Sequence, residues 1–269
     1  MVEHTTENRG VAGSNPALAI VGCGRTYPEV ISATPAAISF DFWHTLVAEP
    51  EGLLAALRRE AVLEALVAGG VAVEEEVLDT RLAQAQALQA EHWRRGEHFD
   101  PPQAAIQFAD AIEGLGAVDR ERVLSAYLDA GEAVDLKLSP GAAETVATLA
   151  ADGVQLGIVC DVGLTGSRHL RAVLQRAGIL HHFKGWAFSD EVGHYKPSPE
   201  IFRHMLDQFE LTCGDTVWHV GDLKRTDVAG ARQAGLVPIR YRGLFDDTSD
   251  AVEADLVIDQ FSELISPAR

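Results

Sequence analysis

Positive charge is scarce in this chain of 269 residues: 22 Lys and Arg stand against 40 Asp and Glu, a net charge of −18. With no basic field to recruit a polyanion, nucleic acid and anionic membrane surfaces are disfavoured as partners. A small anionic ligand stays open, because a bound cation or a few local Lys and Arg override the global field. Cysteine is scarce too. Cys23, Cys160 and Cys213 are scattered and form no CxxC pair. That argues against a zinc site or a disulfide frame and implies reduced thiols in a cytoplasmic protein. No apolar run approaches the ~20 residues that span a bilayer. What remains is an ordinary globular composition, 47% hydrophobic and 23% charged. The length allows one large domain, or a core with one inserted domain.

Residues 1–35 scatter Gly, Pro and Asn without a sustained period, and no clear basic region precedes their short apolar patch, Ala17 to Val21. They read as a disordered or loosely attached extension, not as a signal peptide. Gly13-Ser14-Asn15-Pro16 is also what the T-arm of a transfer RNA gene encodes in frame, which would place true initiation near Val30.

From Ala37 the pattern sharpens. Ala37, Ile38 and Phe40 belong to an uncharged run that ends at Asp41 and continues into Phe42, Trp43, His44 and Thr45. Such a run reads as a buried parallel strand. Helical spacing then takes over. It predicts helices over Glu51 to Ala68, Glu74 to Arg95, Asp100 to about Glu113 and about Asp119 to Ala130. From Ser139 the rhythm alternates, with strands expected at Val154 to Val159, Phe183 to Phe188, Thr216 to Val220, Val237 to Tyr241 and Leu256 to Ile258. Alternation implies a parallel sheet with right-handed crossovers. The expected fold is α/β: a Rossmann-like parallel sheet core (36–50 and 137–269) with an all-α helical cap (51–136) inserted as a lid over the carboxyl ends of the strands.

Four strand ends carry polar groups: Asp41 with Thr45; Cys160-Asp161; Ser189-Asp190 leading to Lys196; and Gly221-Asp222 leading to Asp227. A parallel sheet gathers such ends along one edge. Alone, Asp41 reads as a cap or turn residue. Together, Asp41, Asp222 and Asp227 would repel one another unless a cation joined them, and oxygen-only donors suit Mg²⁺. A lysine beside them would neutralise a nucleophilic carboxylate or a phosphate oxygen.

The order Asp41-x-x-x-Thr45, strand-end Cys160, Lys196-Pro197 within SDEVGHYKPSPEIF, and Gly221-Asp222-x-x-x-x-Asp227 within HVGDLKRTDVAGARQAG resembles the haloacid dehalogenase superfamily. The resemblance runs from Ala36 to the C-terminus and is strongest to the subgroup with a helical cap after the first motif. It implies a magnesium-dependent hydrolase acting on a small phosphorylated metabolite through an aspartyl-phosphate on Asp41. It further implies that the Trp43 carbonyl joins Asp41 and Asp222 at the metal, supported by Asp227, directly or through water. Lys196 would orient Asp41 and the phosphoryl group, and Thr45 would shape the turn.

Two positions depart from the phosphatase pattern. Trp43 stands where a second Asp serves as general acid and base, a loss of about 10²–10⁴-fold, so slow turnover is expected. Cys160 stands where a Ser or Thr holds phosphate, and its S–H is a weak donor. Trp43 also keeps a 2-haloacid dehalogenase open as an alternative, although that branch needs no metal. The phosphonate-cleaving branch uses a cap lysine, and residues 51–136 contain none. A catalytically weak binding protein is the remaining alternative. His44 and Asp161 are candidates for the missing acid, against bland readings as turn and cap residues. Trp93 and Arg94, within HWRRGEHF, are candidates for reading the substrate, against a solvated helix end. The expected oligomer is a monomer or homodimer. Mass spectrometry of the native N-terminus tests the displaced start: no peptide is expected over Val11 to Leu18, and finding one would contradict it.

Overall fold

β1 (Ala37–Phe40) is buried at every position, as its uncharged run requires, and it sits inside the sheet. It pairs in parallel with β4 (Gln155–Cys160) on one side and β6 (Val217–Gly221) on the other, placing Ile38 between Leu156 and Trp218. β5 (Phe183–Phe188), β7 (Val237–Tyr241) and β8 (Leu256–Ile258) complete a six-stranded parallel sheet in the order β5-β4-β1-β6-β7-β8. After β1 the chain builds β4 and β5 on one flank, then returns to build β6, β7 and β8 on the other. The carboxyl ends of β1, β4 and β6 therefore flank a topological switch point, where open sheets form their crevice.

This is a computed structural model, and it describes residues 34–132 and 134–265. The expectations for residues 1–33, including the displaced start, lie outside the described residues.

Between β1 and β4 four helices intervene: α1 (Leu53–Ala68), α2 (Glu75–Arg95), α3 (Pro101–Asp110) and α4 (Ala117–Asp129). Asp100 opens α3 with a capping box, its side chain accepting from the Gln103 N–H while the Gln103 side chain accepts from the Asp100 N–H. These helices share an apolar core of their own that includes Val62, Leu66, Phe108, Val123 and Tyr127. Where the chain leaves and re-enters the sheet region, β2 (Val47–Ala48) pairs antiparallel with β3 (Lys137–Leu138). Two-residue strands carry no readable period, so the sequence pattern did not reveal them.

The remaining helices are α5 (Ala142–Ala151), α6 (Ser167–Arg176), α7 (Ser189–Val192), α8 (Pro199–Leu206) and α9 (Ala229–Gln233). Ahead of α9 the chain makes a π turn over Lys224–Val228. There the Val228 N–H reaches back five residues to the Leu223 carbonyl at 3.2 Å. After β8 the chain makes a 3₁₀ turn, Phe261–Leu264. Among the described residues no helix is long and apolar enough to cross a membrane. Cys160 is a buried free thiol.

α9 lies close against α8 and the Lys196-Pro197 segment. A Cβ on Gly230 would stand 2.4 Å from the Phe202 ring and 3.1 Å from the Pro197 Cα. Gly230→Ala is therefore expected to cost about 1–3 kcal/mol in chemical denaturation. A change within about 0.5 kcal/mol, the range of an unconstrained surface site, would contradict this packing.

Candidate active site

Asp41 leaves the end of β1, Asp222 follows β6, Asp227 lies in the π turn and Lys196 precedes α8. The three carboxylates offer oxygens within 4.8 Å of one another, and all three residues are buried. Lys196, 2% exposed, lies between two of them, with its Nζ 2.6 Å from Asp41 Oδ1 and 2.6 Å from Asp227 Oδ1. The contact with Asp227 is a hydrogen bond. The contact with Asp41 is an ion pair that leaves Oδ1 without an aligned hydrogen bond.

Asp227 is the most heavily held member. Its Oδ1 also lies 3.1 Å from His219 Nε2, and its Oδ2 accepts from the Leu223 N–H at 3.1 Å and the Thr226 hydroxyl at 3.2 Å. His219 Nδ1 in turn lies 2.8 Å from Ser39 Oγ. An ionised Asp227 needs donors, so the neutral imidazole carries its proton on Nε2 and Nδ1 accepts from the Ser39 hydroxyl. Gly221 makes room for this carboxylate: a Cβ there would sit 2.3 Å from Asp227 Cγ.

Burial sets the electrostatics. It pushes Asp222 up to about 9, with Asp227 and Asp41 adding repulsion. It pushes Asp41 up to about 7, with Lys196 pulling down and Asp227 pushing up. Burial works against Asp227 as well, but Lys196 and His219 outweigh it and hold that carboxyl well below the usual range. Burial alone would neutralise Lys196, yet Asp227 and Asp41 keep its ammonium charged well above its ordinary value. The chain thus carries more carboxylate here than one lysine balances. An all-oxygen donor set with a buried, poorly aligned Asp41 oxygen fits a hard divalent cation such as Mg²⁺. Asp41 and Asp222, with Asp227, are the side chains placed to hold it.

A cavity of about 370 Å³ opens over this cluster, and Asp41, Trp43, His44, Trp93, Asp161, Lys196 and Asp222 all line it. Trp93 reaches in from α2. Its indole N–H donates to Asp161 Oδ2 at 2.8 Å, and the Arg225 guanidinium lies 4.2 Å from the centre of its ring. Asp161 Oδ1 accepts the Lys196 backbone N–H at 3.0 Å. Both Asp161 oxygens are thereby engaged as acceptors, which suits a positioning group better than an acid. His44 occupies a left-handed turn position, φ 54°, and its ring stands 6.0 Å from that of Phe245.

Three candidates fall away from the cavity. Arg94 is exposed on α2, because the turn that aims Trp93 inward aims its neighbour outward. Cys160 packs in the apolar core under the sheet edge, where burial pushes its thiol well up. Thr45 is buried in the turn after β1, and its carbonyl accepts from the Ser139 hydroxyl. Asp190 caps α6 by accepting the Ser167 N–H at 2.9 Å. Gln89 and Phe245, which no motif marks, also line the cavity, and Ser39 with His219 stands behind it. The last pair had a signal: each is a polar residue inside a buried strand, and they are register partners.

A family model described as haloacid dehalogenase-like hydrolase matches residues 35–235. The chain belongs to this family of hydrolases. Among curated relatives, a glyceraldehyde 3-phosphate phosphatase of Methanopyrus kandleri is 29% identical over 87% of this chain and 97% of its own. Its namesake from Methanocaldococcus jannaschii is 29% identical over 63% and 71% respectively. A phosphoserine phosphatase of Thermus thermophilus is 39% identical over 30% and 32%. Of solved structures, a HAD phosphatase from Thermococcus onnurineus superposes with a TM-score of 0.61 at 22% identity, covering 86% of this chain and 96% of its own. A 2-haloacid dehalogenase from Pseudomonas syringae gives 0.58 at 21%, with the same coverage. At those identities the two structures speak to the fold.

The raised carboxyls fix the sign of a pH effect. With no cation bound, folded Asp41 and Asp222 keep protons that an unfolded chain has lost above pH ~4. The folded state binds more protons across about pH 4 to 9, so its stability falls as pH rises through that window. Asp227, shifted down, acts the other way and only at more acid pH. In EDTA the thermal midpoint is expected to drop between pH 5 and 9, and Mg²⁺ is expected to flatten the drop. A profile independent of Mg²⁺ would contradict a cation site here.

Proposed function

We propose that this hydrolase is a Mg²⁺-dependent phosphatase of a small phosphorylated metabolite, working through an aspartyl-phosphate on Asp41. The observation that carries the reading is the convergence of Asp41, Asp222 and Asp227 within 4.8 Å, with Lys196 bridging two of them. A dehalogenase needs no such oxygen cluster, and the curated relatives cited above are phosphatases by name. Mg²⁺, when bound, supplies positive charge that offsets the carboxylates and the phosphoryl oxygens; the Trp43 carbonyl is assigned to the same site.

The residues divide the remaining work. An Asp41 oxygen attacks phosphorus, the ester P–O bond breaks, and the alcohol departs with a proton. Water then attacks phosphorus of the acyl phosphate, returning Asp41 and releasing phosphate. Lys196 holds Asp41 in place and balances charge on the phosphoryl oxygens. Asp227, held by His219, Leu223 and Thr226, fixes Lys196 from behind. Trp43 cannot carry the proton to the alkoxide. His44 lines the cavity and has a titratable ring, so it is the side chain assigned to that transfer.

Phosphate release from a panel of phosphate monoesters, glyceraldehyde 3-phosphate and phosphoserine included, should require Mg²⁺ and vanish in Asp41→Asn. Halide release indifferent to EDTA would overturn the reading in favour of a dehalogenase. Trp43→Asp is expected to raise kcat, by up to about 10²–10⁴-fold if it restores a general acid; unchanged or lower turnover would show that Trp43 is not a simple loss.

A further inference from the structure

The catalytic cavity continues into a second chamber of about 700 Å³, and the two share Trp43, His44, Gln89, Gly163 and Phe245. Asp41 lines the first cavity and not the second, so a substrate larger than its phosphoryl group would extend from one into the other. The rest of the substrate has the second chamber to occupy.

One lining residue of that chamber is out of character. Arg58 comes from α1, is 6% exposed, and is a full positive charge taken almost entirely out of water. Its Nε donates to the Tyr127 carbonyl at 3.4 Å, and one terminal nitrogen, Nη2, donates to the Leu164 carbonyl at 3.0 Å and reaches Thr165 Oγ1 at 3.5 Å. The Tyr127 ring lies 5.0 Å from its Cζ. These contacts fix the plane of the guanidinium between the helical insertion and the loop after β4. They leave the other terminal nitrogen, Nη1, without a hydrogen-bond partner among the described residues, and Nη1 is not sealed from solvent. Arg58 is one of the residues that line the second chamber. A buried guanidinium is costly unless its donors are used, so this site is short of one acceptor.

The acceptor's charge follows from the neighbours. Glu49 and Glu51 also line the chamber, and Glu49 already accepts the Leu54 N–H at 3.2 Å. Against these two carboxylates one guanidinium cannot offset a dianionic phosphate, so a singly charged group is the most that Arg58 could hold here. We propose that the second chamber is the leaving-group site and that Arg58 Nη1 reads a carboxylate there, so that the substrate is a phosphate monoester of a carboxylated alcohol. This rests on the phosphatase reading above and narrows it, and it makes Arg58 a specificity-determining residue.

Matched esters test it. Phosphoserine against phosphoethanolamine, and phosphoglycolate against ethyl phosphate, differ by the carboxylate. Glycerol bisphosphate supplies a second phosphate instead, and p-nitrophenyl phosphate reports bare phosphatase activity. KM is measured on the native enzyme with Mg²⁺, and Kd by calorimetry on Asp41→Asn, which needs no turnover. The carboxylated member of each pair is expected to bind about tenfold or more tightly, a difference of ~1.4 kcal/mol, and the bisphosphate less well than either carboxylate. Arg58→Gln should collapse the ratio within each pair toward one, and Arg58→Lys should keep part of it. A ratio near one in the native protein, or an Arg58→Gln variant that weakens both members equally and keeps their ratio, would overturn the assignment. If Arg58→Gln does not fold, the native ratios and Arg58→Lys decide. Failure to hydrolyse p-nitrophenyl phosphate and every other ester sinks the phosphatase reading alone, because the Kd ratios still judge the carboxylate site.

Discussion

One ammonium group holds this active site together. Lys196 Nζ lies 2.6 Å from both Asp41 and Asp227, and each partner is buried. Removing Lys196 would leave buried carboxylates with unmatched charge, the most costly defect an ion pair can suffer. The sheet supplies Asp41, the π turn supplies Asp227, and the segment before α8 supplies Lys196. Three parts of the chain far apart in sequence are thus tied at one point. The tie is still unbalanced, since Asp222 adds a third carboxylate. The same excess that makes a lone protein uneasy at high pH makes a place for a divalent cation.

Around that point the fold divides labour between rigid and adjustable parts. The strand ends fix Asp41 and its supports, with Ser39 and His219 bracing Asp227 from inside the sheet. The helical insertion reaches the same cavity through Trp93, clamped between Asp161 and Arg225, and reaches its neighbour chamber through Arg58. On the function proposed here, chemistry rests on the sheet and recognition on the helices. The short β2–β3 pair lies at the junction between the two.

The legible part of this molecule was its periodic part. The parallel sheet, the four inserted helices and the carboxyl edge followed from apolar runs, helical spacing and strand-end polar residues. Asp41, Asp222, Asp227 and Lys196 come together as their order along the chain implied. What stayed hidden lacked a period or depended on rotation about a helix axis. Trp93 and Arg94 are adjacent, yet one lines the cavity and the other faces water. Asp161 read as a possible acid until its two donors were visible. Cys160 matched a phosphate-holding position by alignment of motifs, but its thiol lies in the apolar core. Arg58 carries no signal of its role, because nothing in its own helix says that the loop at Leu164 folds over it.

The central claim is covalent attachment of phosphate to Asp41, and acid-quenched peptide mass spectrometry addresses it most directly. Protein mixed with an accepted phosphate monoester and Mg²⁺, then quenched within a turnover, should carry phosphate on Asp41. Phosphate release with no modification of Asp41 at any quench time, or a phosphoryl group on another residue, would contradict the account.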